Sequence, residues 1–412
     1  MRDKPEISFL SSNNNFNKVN LEELTLKIGS GKTPKGGDAN YQKSGIVLIR
    51  SQNIYNNKVN FKNIAYISPD VDATMINSRV LKGDVLLNIT GASIGRSAVY
   101  KEEKLANVNQ HVCIIRPTSK LDPYYLQLLL ASEIGQKQIS ISQAGGGKEG
   151  LNFKQIAKMS FLIPSIEVQK KIGIFFTNFD ETIALHQQEL DALKQTKQGF
   201  LQKMFPKDQE LIPKMRLSGF KGKWIEMKFK NLAKIRRGLT YKPKDVDKSG
   251  VRVLRSSNIK SDSFILKDDD VFVKQEVVNI NYAKENEILI TSANGSSNLV
   301  GKHALIKKLN SPTVHGGFML IASAKTPYFV NTLMNTEWYD RFIKVHVSGG
   351  NGAIGNLNKN SLENYSVIVP SIEEQVKIGE FFRQLDEVIE LKEQELEALN
   401  QTKKGFLQKM FV

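Results

Sequence analysis

The chain contains one long segment twice. Residues 164–205 (PSIEVQKKIGIFFTNFDETIALHQQELDALKQTKQGFLQKMF) return as residues 370–411 (PSIEEQVKIGEFFRQLDEVIELKEQELEALNQTKKGFLQKMF), identical at about 29 of 42 positions. The stretches ahead of the two copies, 1–163 and 206–369, match each other only in short islands. One part of the unit is held fixed while the other varies, as expected for a scaffold that carries two different binding domains.

The repeated segments are predicted to be long amphipathic helices. Their apolar residues recur at alternating spacings of four and three, which is the pattern of a coiled coil. Ser371 and Glu374 predict a capping box at the start of the second helix, whereas the first copy has Val168 at the box position. Each helix would be about 60 Å long, so the two apolar stripes are expected to bury each other. The predicted seam consists of Ile172, Phe176, Phe179, Ile183, Leu190 and Leu193 in the first copy and Ile378, Phe382, Leu385, Ile389, Leu396 and Leu399 in the second.

Both copies place polar residues at the same two points of this seam. These are His186 and Lys197 in the first copy and Lys392 and Lys403 in the second. They could turn outward with only their stems packed, because a straight helix drifts from a 3.5-residue repeat. Alternatively, they could set the register of the two helices or face a further partner.

Basic charge is concentrated in the two variable stretches. The formal net charge is +16, of which residues 1–163 carry about +8 and residues 206–369 about +11. The first repeated segment is neutral and the second carries about −3. A polyanionic partner for the variable stretches is therefore expected. No apolar run is long enough to span a membrane, and the single cysteine, Cys113, is expected to be buried on a strand.

The variable stretches are predicted to be mixed α/β domains of related topology. Apolar strands at 45–54 (GIVLIRSQNI) and 250–259 (GVRVLRSSNI) both end in a polar turn. Each stretch continues with a strand, a Gly/Ser/Asn loop and another strand, then a helix near 123–132 or 327–338. A glycine-rich loop follows in each half and leads into the long helix. The two halves should therefore repeat strand for strand, with different loops.

Several sequences that look like catalytic motifs fail on their spacing. GSGKT, which ends at Thr33, has Leu26 where a phosphate-binding loop needs its first glycine. DPYY, which starts at Asp122, lacks the second proline of the Asp-Pro-Pro-Tyr loop of adenine methyltransferases and is predicted to open a helix. The five histidines show no metal-ligand spacing. We therefore expect no catalytic site, metal site or cofactor in this chain.

The organisation of the chain resembles the specificity subunit of type I restriction-modification enzymes. The resemblance rests on two variable basic domains, on helices that open with PSIEVQ or PSIEEQ and close with GFLQKMF, and on KMRLSGFKGKW at 214–224. It spans essentially the whole chain. The segment at 11–34 lacks a clear RF-x-GF-x-G-x-W lead-in, which leaves the outer boundary of the first domain open.

The resemblance implies an α+β protein with target-recognition domains at 1–163 and 206–369 and spacer helices at 164–205 and 370–412. The helices would pack antiparallel, giving a pseudo-twofold internal repeat. Each domain would read one half of a bipartite site in double-stranded DNA, while the helices hold two methyltransferase subunits and, through them, restriction (motor-nuclease) subunits. S-adenosylmethionine, ATP and magnesium are implied for those partner subunits, with a cytoplasmic location.

Polar loop residues are the candidates for DNA contact, because base edges require directional donors and acceptors. Arg50 and Arg255 could instead brace the fold by pairing with a carboxylate. The candidate set is Arg50, Ser51, Gln52, Asn53, Arg96 and Lys148 in the first domain and Arg236, Arg237, Arg255, Ser256, Ser257, Asn258, Asn294 and Asn351 in the second.

Two other classes of function stay open at this stage. A self-contained DNA methyltransferase or nuclease would need a cofactor loop or a carboxylate cluster, and neither is visible in the sequence. A coiled-coil adaptor without DNA specificity would leave the uneven charge distribution unexplained.

Overall fold

The structure, a computed structural model, describes residues 16–144, 150–207, 210–260, 262–348 and 355–411. The chain divides into two compact units of similar size. Unit 1 consists of residues 1–187 and 394–412, and unit 2 consists of residues 188–393. The units cut across the repeated segments, so that each unit holds one variable stretch, the first half of the helix that follows it and the last half of the other helix.

Unit 1 is a mixed α/β unit in which most of the short strands precede residue 123 and one more lies just before the long helix. Its helices are α1 (Pro69–Ala73), α2 (Pro123–Ala131), α3 (Glu133–Ala144), α4 (Phe153–Ala157) and the first part of α5 (Ile166–Met204). Its strands are β1 (Asn17–Asn20), β2 (Thr25–Ser30), β3 (Ile46–Ile49), β4 (Ile54–Tyr55), β5 (Lys58–Val59), β6 (Ala65–Ile67), β7 (Arg79–Val80), β8 (Val85–Asn88), β9 (Ser97–Val99), β10 (Ala106–Val108), β11 (Val112–Pro117) and β12 (Ser160–Ile163).

Unit 2 repeats most of this order, without an α-helix at the position of α1 among its described residues. Its helices are α6 (Pro327–Leu333), α7 (Glu337–His346), α8 (Lys359–Asn364) and the first part of α9 (Ile372–Lys409). Its strands are β13 (Ile225–Lys228), β14 (Ala233–Arg237), β15 (Val246–Leu254), β16 (Ile259–Lys260), β17 (Ser263–Phe264), β18 (Val271–Val273), β19 (Ile288–Thr291), β20 (Ala293–Asn294), β21 (His303–Leu305), β22 (Thr313–His315), β23 (Met319–Ala324), β24 (Val347–Ser348), β25 (Gly355–Leu357) and β26 (Ser366–Val369).

The sheets of the two units correspond. The order β2-β11-β8-β9 in unit 1 has its counterpart in β14-β23-β19-β21 of unit 2, and both sheets are antiparallel. A second sheet, β6-β3-β10-β7 or β18-β15-β22, contains one parallel pair in each unit, β3 with β10 and β15 with β22. An antiparallel pair, β1 with β12 or β13 with β26, leads into each long helix. The predicted strand-for-strand repeat is confirmed for these sheets but not throughout: among the described residues β7 has no counterpart in unit 2, and the sheet β20-β25-β24 of unit 2 has none in unit 1.

Local sequence signals account for several boundaries. Asp122 is the N-cap of α2, where its side chain accepts a hydrogen bond from the Tyr125 backbone N–H at 2.9 Å. This confirms that DPYY opens a helix. Gly29, in the phosphate-loop-like sequence, lies on strand β2 and no α-helix follows it before Pro69. Cys113 is fully buried on β11, and burial raises the pKa of its thiol to about 12.

The C-terminal ends of the two long helices complete the cores of the units. In unit 1, Phe411 is 6% exposed and its ring centroid lies 5.4 Å from that of Tyr125 on α2. In unit 2, Phe205 is 4% exposed and its ring lies 6.0 Å from that of Phe329 on α6. Phe205 also packs 5.8 Å from Trp224. Each unit therefore buries an aromatic anchor from the end of the helix that follows the other variable stretch.

Within each unit the two helices run antiparallel. In unit 1 the partners are Asp180 with Lys403 at 2.5 Å and His186 with Glu395 at 3.7 Å, so residue numbers rise on one helix as they fall on the other. The structure places all twelve predicted seam residues at buried or half-buried positions. Five of them are almost fully buried: Ile172, Phe176, Leu190, Ile378 and Phe382.

The corresponding contacts recur in unit 2. Lys197 pairs with Asp386 at 2.5 Å and Lys392 with Glu189 at 3.3 Å. These are the counterparts of the unit 1 pairs in the sequence repeat. The polar seam positions thus meet carboxylates on the facing helix, which favours the interpretation that they set the register of the helices.

The capping box predicted at the start of α9 forms only in part. The Ser371 hydroxyl accepts from the Glu374 backbone N–H at 3.5 Å, but the Glu374 carboxylate binds Arg216 at 2.8 and 2.6 Å instead of returning to the cap. Glu374 is 1% exposed, so a strongly bonded cation is required to hold it there as an anion. The prediction of a reciprocal box was therefore wrong, because a partner about 160 residues away competes for the carboxylate.

Two equivalent glutamines tie the long helices to their domains. The Gln169 amide donates to the Pro164 carbonyl at 2.9 Å, and its oxygen accepts from the Asp122 backbone N–H at 2.9 Å. Gln375 donates to the Pro370 carbonyl at 3.0 Å and accepts from the Thr326 hydroxyl at 2.8 Å. Both glutamines are buried, so the direction in which each helix leaves its domain is fixed by hydrogen bonds.

Candidate nucleic-acid interface

The polar turns after β3 and β15 are built in the same way. The Asn53 side chain accepts from the Arg50 backbone N–H at 3.1 Å and donates to the Asn60 carbonyl at 3.1 Å. Asn258 accepts from the Arg255 backbone N–H at 2.8 Å and donates to the Ile265 carbonyl at 3.0 Å. In each unit the asparagine fixes the turn and places an arginine at its edge.

Burial separates the members of these two turns. Asn53 is 2% exposed and Asn258 is 0% exposed, so their amides are occupied inside the protein and are not presented to a duplex. We correct our prediction for these two residues: they support the site and do not face it. The repeated R-S-x-N-I sequence is a turn signature, because asparagine hydrogen-bonds readily to nearby backbone groups. Gln52 and Ser257 are exposed, and Ser51 and Ser256 are half-buried.

The arginines of unit 1 lie against tyrosine rings. The Arg50 guanidinium carbon is 5.1 Å from the centre of the Tyr41 ring, and Arg50 also donates to the Asn63 carbonyl at 3.2 Å. The guanidinium of Arg96, which is exposed, lies 6.0 Å from the centre of the Tyr55 ring. No carboxylate pairs with either arginine in the described part of the chain. Although Nε of Arg50 is buried, the rest of its guanidinium and the exposed guanidinium of Arg96 have no competing carboxylate and can donate to phosphates or bases.

Arg236 braces the fold, contrary to our prediction that it contacts DNA. It donates to the Glu287 carboxylate at 2.6 Å, to the Ser323 hydroxyl at 3.1 Å and to the Tyr282 carbonyl at 3.1 Å. Burial alone would raise the pKa of Glu287, but the hydrogen bonds from Arg236 and Ser323 outweigh it and lower that pKa. With both terminal nitrogens engaged in this way and Nε buried, Arg236 is not available to a ligand. The adjacent Arg237 is exposed and makes no ion pair within the described residues.

Arg255, Ser256 and Asn294 come together in unit 2. The Asn294 amide donates to the Ser256 hydroxyl at 3.0 Å, and its oxygen accepts from the Ser296 backbone N–H at 2.9 Å. All three line a cavity of about 710 Å³, together with Phe318 and other apolar residues. Three of the predicted contact residues, two adjacent in sequence and the third 38 positions further on, therefore share one concave surface.

Two predicted contact residues cannot be located, and one exposed residue beside the cavity was not predicted. Lys148 and Asn351 lie outside the described residues. Phe318 was not predicted, yet it is 67% exposed beside the cavity. No usable signal lay in the sequence, because setting VHGGFMLIAS against VNQHVCIIRP places Phe318 opposite Val112. The sheet register, in which Met319 and Val112 occupy equivalent positions, instead makes His111 its counterpart.

The described residues contain no cluster of three or more His, Cys, Asp or Glu side chains that could hold a metal ion. Nor do they include a helix that is both long and apolar enough to cross a membrane. The chemistry that the described surface offers is binding: positively charged and amide donors set around apolar and aromatic surface.

Comparison with known proteins agrees with this geometry. The sequence model of the type I restriction modification DNA specificity domain matches residues 13–195 and again residues 221–401. The chain is 23% identical over 410 residues to a Methanocaldococcus jannaschii protein named as the MjaX type I restriction enzyme specificity subunit, covering 94% of this chain and 90% of that one.

Solved structures show the same fold. The crystal structure of a type I restriction-modification system S subunit from M. genitalium matches with a TM-score of 0.63 at 15% identity, over 99% of both chains. A structure from work on complex assembly and conformational transition of the type I R-M system matches with a TM-score of 0.57 at 14% identity, over 95% of this chain and 96% of that one. Because one domain model matches both variable stretches and most of the helices, this chain belongs to the type I restriction modification DNA specificity family.

Proposed function

We propose that this chain reads a bipartite site in double-stranded DNA, with unit 1 reading one half and unit 2 the other. The observation that carries the proposal is the repetition of one basic α/β fold with different loops, at about +8 in one stretch and +11 in the other. Arg50 and Arg96 in unit 1, and Arg237, Arg255 and Asn294 in unit 2, present donors at the surface. Phosphate contacts would position the protein, and the loop side chains would read base edges.

Mapping methylated adenines in a genome that carries this system tests the proposal. A motif with two specific halves and a fixed unspecific gap is expected. Replacing residues 16–163 with the domain of a related chain should then change one half only. Simultaneous change of both halves would refute independent reading.

Specificity subunits of type I systems assemble with other subunits, and we propose that two methyltransferase subunits dock on the helices of this chain. Two exposed leucines support this number. Leu185 on α5 is 55% exposed and Leu391 on α9 is 57% exposed, and they occupy the same position in the repeat. Large apolar side chains exposed on charged helices are typical of contact surfaces. Two equivalent points on one chain would accept two copies of one partner.

Single and double substitutions test this stoichiometry. In native mass measurements of the co-expressed complex, Leu185→Glu or Leu391→Glu should each leave one methyltransferase copy, and the double variant should leave none. As a matched control, Glu397→Lys changes the charge at an exposed position of α9 and so does not bury a charged group. A wild-type complex with a single copy would contradict the proposal.

We further propose that catalysis resides in the partners. S-adenosylmethionine would bind the methyltransferase subunits, and ATP and magnesium would serve restriction subunits that join through them. The purified chain alone should then bind the mapped site but transfer no methyl group. Methylation by the chain alone would favour a self-contained enzyme, and binding without a preference for the mapped site would favour a non-specific adaptor.

A further inference from the structure

The cavity in unit 2 is larger than the packing of a domain explains. Its volume of about 710 Å³ lies in the range of ligand pockets, whereas interior voids rarely exceed the size of a water molecule. Most of its wall is apolar. The main apolar side chains are those of Leu239, Tyr241, Val246, Val271, Phe318 and Met319.

One side of the cavity is polar and held rigidly. Asn294 is fixed by the Ser256 hydroxyl at 3.0 Å and the Ser296 backbone N–H at 2.9 Å. This leaves one amide hydrogen of Asn294 free of these two bonds. Arg255 lies beside it and is exposed, with no ion pair within the described ranges. The ligand that fits has apolar faces, a polar edge and negative charge close by.

Phe318 marks the open side of the cavity. Its ring is 67% exposed and makes no stacking contact with another described aromatic side chain. In unit 1 the residue at the equivalent place in the sheet, His111, is held by the Thr90 hydroxyl at 2.6 Å. The exposed tyrosine of that unit, Tyr55, already lies against Arg96. At this position of the fold, therefore, unit 2 has an uncovered aromatic ring beside an apolar cavity and unit 1 has a hydrogen-bonded histidine.

We propose that one nucleobase of the half-site read by unit 2 leaves the duplex stack and lies in this cavity, with its face on Phe318 and its edge towards Asn294 and Arg255. This inference rests on the proposed function of unit 2 as a DNA reader. A base inside a duplex exposes only its edges in the grooves and cannot fill an apolar cavity, whereas an unstacked base offers both π-faces. Stacking on an aromatic side chain offsets much of the cost of unstacking. The +11 charge of the surrounding stretch favours a nucleic acid over an apolar protein segment as the occupant.

Fluorescent base analogues test the inference in the complex co-expressed with its methyltransferase subunits. A duplex carrying the methylome-mapped site receives 2-aminopurine at each purine, or pyrrolo-cytosine at each pyrimidine, one position at a time. The expected result is a several-fold rise in fluorescence on binding at one position of the half-site read by unit 2. The same position should lose its signal in Phe318→Ala and keep it in Phe318→Tyr. Affinity for the site should fall about five-fold to a hundred-fold in Phe318→Ala.

A second variant separates the cavity from the ring. Ala293→Phe, which places a large side chain at the cavity wall, should abolish the signal with Phe318 intact. Phe61→Ala, at an exposed phenylalanine of unit 1, is the matched control and should change nothing. Because both Phe318 and Phe61 are exposed, neither substitution should unfold the chain.

The outcomes are distinct. If the complex does not bind the mapped site, the proposed function fails. If it binds the site and no position of the second half-site brightens, or if the signal survives Phe318→Ala or Ala293→Phe, the base does not occupy this cavity. If these variants instead release a methyltransferase subunit and leave the fluorescence unchanged, the cavity holds a protein segment and the inference is overturned.

Discussion

The aromatic anchors at the C-terminal ends of the two long helices should each stabilise the unit that does not contain the variable stretch before that helix. Phe411 lies in the core of unit 1 and Phe205 in the core of unit 2, although each follows the variable stretch of the other unit. We expect Phe411→Ala to destabilise unit 1 and Phe205→Ala to destabilise unit 2. Sequence order alone would assign Phe205 to unit 1 and Phe411 to unit 2.

Packing gives the size of the effect. Both rings are almost fully buried, at 6% and 4% exposure, so truncation to alanine removes buried surface and leaves a cavity that the aromatic neighbours cannot fill. Substitutions of this kind cost about 3–5 kcal/mol. Against a typical domain stability of about 5–15 kcal/mol, this is a large fraction, and it corresponds to a shift of roughly 1–2 M in the urea midpoint.

The chain carries its own reporter for the assay. It has two tryptophans, Trp224 and Trp338, and both lie in unit 2. Tryptophan fluorescence in urea should therefore shift for Phe205→Ala, whose ring packs 5.8 Å from that of Trp224. For Phe411→Ala the fluorescence transition should stay in place, while far-ultraviolet circular dichroism reports an earlier loss of structure.

Hydrogen exchange read by mass spectrometry makes the assignment directly. Peptides from α2 and β11 should lose protection in Phe411→Ala, and peptides from α6 and β23 should lose it in Phe205→Ala. Leu185→Glu, at an exposed position of α5, is a control that should leave both regions protected. The reasoning is refuted if Phe411→Ala exposes unit 2, or if neither substitution moves a transition.

Three further predictions follow from particular contacts. Gly405→Ala should raise the free energy of unfolding by about 1 kcal/mol, because an added Cβ meets nothing within 4 Å. Gly379→Ala should lower the free energy of unfolding by about 1–3 kcal/mol, because its Cβ would lie 2.6 Å from a backbone nitrogen. Equal effects of the two substitutions in urea titrations would contradict this. Burial lowers the pKa of His315 to about 4, below the ordinary value of 6.5, so His315 should cost unit 2 up to about 3 kcal/mol of stability as the pH falls from 6.5 towards 4. Burial also lowers the pKa of His303, so His315→Asn should reduce the dependence in tryptophan-monitored unfolding without abolishing it, and an unchanged slope would count against this. One heptad inserted after Leu193 and another after Leu399 should lengthen each helix by about 10 Å. The unread gap of the DNA site should then widen by at most about three base pairs, which mapping of methylated adenines would detect. An unchanged gap would mean that the helices do not set the spacing.

Features that depend on local sequence could be predicted without the structure. The seam of the helices follows from spacing, because residues three and four apart share a helix face whatever lies elsewhere in the chain. Asp122 could be predicted as a helix start because the signal, an N-cap residue followed by proline, lies in adjacent residues. The correspondence of the main sheets also followed, since matching islands of sequence imply matching elements, but the sheet β20-β25-β24 that only unit 2 shows in its described residues did not.

Features that depend on distant partners could not be predicted. Arg236 was expected at the interface, but Glu287, 51 residues away, takes its guanidinium once β14 and β19 join the same sheet. In unit 1 the equivalent buried carboxylate, Asp84, is paired by Arg116 from a different strand, so the sequence repeat did not indicate that Arg236 pairs with Glu287. Asn53 was expected outside because asparagine is polar, whereas its turn satisfies both ends of its amide inside the protein.

The anchoring of unit 1 by the far end of α9 also bears on how the chain folds during synthesis. A ribosome that has made the whole first variable stretch has not yet made residues 394–411, which supply Met410 and Phe411 to its core. Unit 1 must therefore wait, with part of its apolar core uncovered, until more than 200 further residues have emerged, whereas unit 2 has Phe205 available before its own strands appear. At about 5–20 residues per second this delay lasts roughly 10–40 seconds, and contacts this distant in sequence also form slowly. The first half of the chain to be made is thus the last to be finished, and a premature stop near the C-terminus would leave the first unit incomplete.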